Sequence, residues 1–217
     1  LTELLEGHSI PVTQAGWEVV DDLDDVEVVI LQNPSNVGEA EFLAALAAFD
    51  DADVSVIFPA DGWATRTRGV DLLSRHTGNP PSYTRLGGVS GPEIFLHNLV
   101  DHPLFDGVSD SDPLRLLNAT SEAAYFPSYQ GITLAEVGEV GGPAGIGIAY
   151  DVRTPDSVHL LLSGLAATFR NNPPTSWTED AEQILLNAVR WAASPQQSGL
   201  SGVVTDADGN GLAHVQV

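Results

Sequence analysis

Few residues in this chain have types suited to chemistry at positions where it could be done. They are Asp61 and Trp63 in the stretch Ala60-Asp61-Gly62-Trp63, Arg66 just beyond, and the pair Asp101-His102. Asp61 follows the β-branched, apolar run Val54 to Phe58, which places it at the C-terminal end of a buried strand, where open α/β sheets form their sites. A carboxylate there can act as a general base, accept from a sugar hydroxyl or ligate a metal. Aspartate is equally an ordinary helix N-cap and turn former. Trp63 can stack on a sugar ring or lie buried under the next helix, and Arg66 would bring a cation to the same cleft. Asp101 and His102 have the types of an acid–base pair, but Pro103 fixes the backbone after them and favours a structural turn.

Other constellations are weaker. His97 precedes Asp101-His102 by a few residues, but no third ligand completes a two-histidine, one-carboxylate metal set. His159 stands inside an apolar run and reads as a core histidine. Ser128, Ser163 and Ser201 lack the G-x-S-x-G elbow of serine hydrolases. Asp206-Ala207-Asp208-Gly209-Asn210-Gly211 resembles part of a calcium loop without its closing glutamate, so a hairpin turn is expected. The acidic run Asp21, Asp22, Asp24, Asp25 reads as a solvated turn, and Asn118-Ala119-Thr120 is a short glycosylation triplet. The glycines are not spaced as a phosphate-binding loop between strand and helix, so no cofactor is expected. With no cysteine in the chain, disulfides, thiolate metal sites and a thiol nucleophile are excluded.

Charge narrows the partners. Thirty acidic residues against eight basic ones give a net charge of −22, and every basic residue is arginine. Such a balance repels nucleic acid and anionic membranes. A halophilic or calcium-rich setting would screen it, and a GC-rich genome alone produces the same composition. A mean hydropathy of +0.03 is ordinary for a folded chain. The longest apolar runs fall far short of the roughly 20 residues of a membrane span, so no membrane insertion is expected.

The elements that must position these residues follow from periodicity. Leucines 1, 4 and 5 predict a short helix ending at Gly7. Val26 to Leu31 predicts a buried strand. Phe42, Leu43, Leu46 and Phe49 form the apolar stripe of a helix over 39–49, which leads to the strand Val54 to Phe58 and a helix from Ala64 to His76. Strands alternating with helices imply a parallel sheet with right-handed crossovers. Ser82 to Pro143 reads as loops and antiparallel edge strands. Ala144 to Tyr150 and Ser157 to Leu165 predict two more strands, and Thr178 caps a final helix whose first turn carries Glu179, Asp180 and Glu182. Residues 194–199 have linker composition. Leu200 to Val217 has the pattern of a hairpin, which, being marginal alone, is expected to open a truncated β-sandwich module.

The phrases VIFPADGWAT, GVDLLSRHTGNP, DHPLFDGV and SVHLLLSG…DAEQILLNAVRWAA, in that order over residues 1–193, resemble the class I glutamine amidotransferase-like superfamily, nearest its trehalose-utilisation-protein-like branch. The resemblance implies a Rossmann- or flavodoxin-like three-layer sandwich with a mostly parallel central sheet. It does not imply activity, because the matching turn offers Asp61 or Gly62 in place of the nucleophilic cysteine, and Ala166-Ala167-Thr168 stands where the late histidine would fall. The tail SGVVTDADGNGLAHVQV is similar to the start of a carboxypeptidase regulatory-like domain, a module of secreted proteins. Together these imply a non-catalytic accessory or interaction domain of a larger secreted or cell-surface bacterial protein, with protease- or carbohydrate-associated partners. Those partners would be other domains of the same polypeptide and a carbohydrate or peptide. The alternative is a hydrolase or sugar-modifying enzyme with its site around Asp61.

Overall fold

The computed structural model describes residues 1–15, 20, 22–31, 38–60, 93–118, 123, 125, 126, 129, 131–165 and 174–195. Its centre is a seven-stranded sheet. In chain order the strands are β1 (Val28–Ile30), β2 (Ser55–Ala60), β3 (Ile94–His97), β4 (Leu114–Leu117), β5 (Ile132–Glu139), β6 (Gly142–Val152) and β7 (Val158–Ser163), arranged in space as β1-β2-β7-β6-β5-β3-β4. The described helices are α1 (Thr2–Gly7), α2 (Glu39–Asp51) and α3 (Glu179–Ala193).

This arrangement corrects the expected Rossmann- or flavodoxin-like sandwich. Only β1 with β2 and β2 with β7 run parallel, whereas β7 with β6, β6 with β5, β5 with β3 and β3 with β4 run antiparallel. The result is a mixed, mostly antiparallel sheet curled into a half-barrel, with few helices. The cause is local. Val140 and Gly141 alone separate β5 from β6, with Glu139 paired to Gly142, and a two-residue connection joins only antiparallel neighbours. The parallel expectation came from the strand–helix alternation at the start of the chain, and the β1–α2–β2 crossover does obey it.

Gly138, Gly145 and Gly147 suggest loops but mark close packing inside strands. A Cβ added at Gly145 would lie 2.6 Å from the Tyr125 ring and 2.8 Å from the Phe126 carbonyl oxygen, and one at Gly147 would lie 2.6 Å from Val137 Cβ. Here a glycine lets a neighbour close onto the strand.

Two apolar layers sandwich the parallel part of the sheet. Val56 and Phe58 of β2 and Leu161 of β7 pack with Phe42, Leu46 and Phe49 of α2. The alternate residues Ile57, Leu160 and Leu162 pack with Ile184, Leu185 and Ala188 of α3 on the other face, as the period-2 side-chain alternation of strands requires. Phe42, Leu46 and Phe49 are fully buried, each contributing about 1.5–3 kcal/mol relative to exposure. Thr178 starts α3 as expected: its Oγ1 accepts from the Ala181 amide at 3.1 Å and, as a donor, reaches the carbonyls of Arg115 and Leu116 at 3.0 and 3.2 Å. One hydroxyl thus closes the helix end and ties it to β4.

Candidate functional site

Three of the proposed site residues, Asp61, Trp63 and Arg66, lie outside the described residues, as do the helix expected over 64–76 and the hairpin expected over 200–217. His102 is described, and its surroundings give it a structural role. It precedes the 3₁₀ turn Pro103–Phe105, and its Nδ1 accepts from the Leu104 amide at 3.2 Å. With Nδ1 an acceptor, the neutral ring carries its proton on Nε2. That atom is buried and meets no polar partner among the described residues.

Aromatic rings surround it instead. The imidazole lies 4.8 Å from the Trp191 ring at 73° and 5.7 Å from Tyr150, while Tyr150 and Trp191 meet at 4.9 Å and 70°. Such edge-to-face contacts are favourable. Burial holds the His102 pKa below the usual histidine value, although the Asp106 and Asp101 carboxylates pull it back up. The pair Asp101-His102 is therefore a capped turn packed on α3. Asn187 of α3 holds the same turn from outside by donating to the Leu104 and Asp106 carbonyls at 3.1 and 2.8 Å.

His97 of β3 also serves the fold. It donates from Nε2 to the Glu139 carbonyl at 2.9 Å, fastening β3 to the end of β5. The groups that could have formed a metal set do not converge: no cluster of three or more histidine, aspartate or glutamate side chains is found among the described residues.

Sequence reading missed the strongest electrostatic feature. Asp50, in the last turn of α2, faces Arg153 and His159 across the end of the sheet. Arg153 donates from Nη2 at 2.9 Å and from Nε at 3.2 Å to Oδ2, and His159 Nε2 lies 3.1 Å from Oδ1. Burial acts to raise the Asp50 pKa, but His159 and then Arg153 outweigh it and hold the carboxyl well below the usual carboxylate range. An aspartate at a helix C-terminus opposes the helix dipole. That misplaced acid, together with an arginine just after an apolar strand, was the available signal.

A depression of about 330 Å³ includes His102 in its lining, with Leu99, Val100 and Phe105 and the aspartates Asp101, Asp106, Asp110 and Asp112. The loop that lines it is held to α3, since the Ser109 amide donates to Asp180 Oδ1 at 2.9 Å. The arrangement supplies shape, apolar surface and negative charge. Its one histidine is spent on a cap.

Among the described residues, no helix is long and apolar enough to cross a membrane. The sequence matches no protein-family profile and no curated protein. Among the solved structures that resemble it in fold are the following two. One is described as the mmIFT52 N-terminal domain, with TM-score 0.60 and 10% identity over 89% of this chain and 90% of that one. The other is the cytoplasmic protein STM3548 from Salmonella typhimurium, with TM-score 0.53 and 11% identity over 88% of this chain and 85% of that one. At such identities the likeness is one of fold, and the cytoplasmic label of the second lends no support to the extracellular placement expected from sequence. The chain is thus a mixed-sheet α/β domain, similar in architecture to these two proteins.

Proposed function

We propose that this chain is a non-catalytic interaction domain of a larger protein. The observation that carries the reading is the use made of His102. The described residue best suited to proton transfer is buried, capped onto Leu104 and packed against Trp191 and Tyr150. A general acid or base must reach the proton it moves; His102 lines the depression, but its Nδ1 is taken by the Leu104 amide and its Nε2 is buried. Asp50, His159 and His97 are likewise committed to fastening elements together. The surface at His102 is concave and lined by apolar side chains and aspartates, the character of a recognition surface.

A direct assay separates this reading from an enzyme built around Asp61. The chain is incubated with chromogenic esters, glycosides and phosphate esters, in parallel with Asp61→Asn and His102→Asn. The proposal predicts rates equal to buffer for all three. Turnover by the wild type that vanishes in Asp61→Asn at an unchanged melting temperature would show a catalyst.

A further inference from the structure

Among the described residues, large apolar side chains left in solvent are few, and their placement is not scattered. Four are exposed among the described residues: Val100 at 43%, Ile132 at 48%, Val140 at 68% and Val152 at 43%. Val140 sits on the β5–β6 turn. The other three gather at the opposite end of the sheet. Ile132 begins β5 and is the register partner of Tyr150 on β6, and Val152 follows Tyr150 by two residues, so both share its face. The Val100 amide donates to the Leu134 carbonyl at 3.0 Å, two residues along β5 from Ile132. Tyr150, which shares the face of Ile132 and Val152, packs in turn with the buried Trp191 and His102 rings.

This apolar patch is continuous with the acidic depression, because Val100 and His102 line it together with Asp101, Asp106, Asp110 and Asp112. The cation nearest the patch in sequence, Arg153, follows Val152 directly but is paired to Asp50. Its charge therefore does little to cancel the aspartates. A net charge of −22 sets the same sign over the whole molecule. Exposed apolar side chains bordered by one sign of charge mark a protein-binding surface, and complementarity fixes the character of what binds.

We infer that the end of the sheet formed by Val100, Ile132 and Val152, with the aspartates of the 101–112 loop, docks a peptide segment that carries an aliphatic or aromatic anchor flanked by lysine or arginine. The inference rests on the interaction-domain reading and adds the site and the chemistry of its partner. An apolar anchor covers the valines and isoleucine, and its flanking cations meet the aspartates.

The test uses the whole chain and a displayed library of random 12-residue peptides, followed by affinity measurement of the selected peptides. The expected outcome is enrichment of peptides with two or more basic residues around one large apolar residue. Their Kd weakens at least tenfold in Ile132→Ser and in Val152→Ser, and by a smaller factor in Asp110→Asn/Asp112→Asn. That last loss shrinks as salt rises from 50 to 500 mM, as screened charge pairs require. Val140→Ser, at the far end, leaves Kd unchanged. Melting temperatures confirm that the variants fold. Selected peptides whose Kd is the same in Ile132→Ser and Val152→Ser would overturn the surface while leaving the interaction reading standing. Enrichment of acidic peptides, or of none, would also overturn it. Turnover lost in Asp61→Asn would overturn the reading itself.

Discussion

Asp50 gives the sharpest prediction about what holds this fold together. In Asp50→Asn the side chain keeps its shape but loses its charge, so the Arg153 guanidinium and the nearly fully buried His159 face an amide in place of a carboxylate. Removing one partner from a fully buried ion pair costs about 3–5 kcal/mol. Here the Asp50 and Arg153 side chains keep 19% and 24% of their exposure, and water recovers part of that loss. The expected cost is about 2–3 kcal/mol at pH 7, within the range for charge-assisted hydrogen bonds. For a domain of this size that lowers Tm by about 4–12 °C.

The pH dependence carries the same signature. A carboxyl held below its unfolded value stabilises the fold fully above that value and loses its contribution as pH falls through the window beneath. The stability gap between wild type and Asp50→Asn is therefore constant from about pH 8 to 5 and closes below about pH 4. Urea unfolding followed by tryptophan fluorescence at several pH values measures both effects. A gap smaller than about 0.5 kcal/mol at pH 7, or one that persists unchanged at pH 2.5, would refute the clamp.

Further outcomes follow from the other contacts. His102→Ala removes the Leu104 cap and the packing against Trp191 and Tyr150 and should cost about 2–3 kcal/mol, read by denaturant midpoint. Because burial lowers the His102 pKa, the unfolded state takes up a proton first, so the wild type should lose stability as pH falls below about 6.5 while His102→Asn keeps a flatter profile. Thr178→Ala should cost about 1 kcal/mol and loosen the β4 side of α3, visible as faster amide exchange at Ala181. Gly145→Ala should cost about 1–3 kcal/mol, since its Cβ meets the Phe126 carbonyl. Gly141→Ala, with nothing within 4 Å, should change the same thermal midpoint little.

What the sequence made legible was local. The apolar stripe of α2, the Thr178 cap and the apolar runs of β1, β2 and β7 each follow from short-range pattern, and each lies close to its expected place. The sheet's hand and order were not legible. β7 inserts between β2 and β6, a pairing decided by long-range packing that no window of residues contains. β5 was not marked off within the region read as loops and antiparallel edge strands, and the glycines 138, 145 and 147, which mimic loop composition, admit Gly142, Tyr125, the Phe126 backbone and Val137 against β5 and β6.

The site was legible only in part. Pro103 correctly signalled a structural turn at Asp101-His102. The partner of Asp50, by contrast, lies 103 residues away, beyond any spacing argument. The exposed valines and isoleucine could not be told from core residues, because type and periodicity are the same for both.

The end of the sheet is the proposed recognition surface, and hydrogen exchange with a selected basic peptide tests that role most directly. The predicted result is slowed exchange confined to residues 99–112 and the Ile132 and Val152 ends of β5 and β6. Protection centred on the β5–β6 turn, with no change at 99–112, would contradict it.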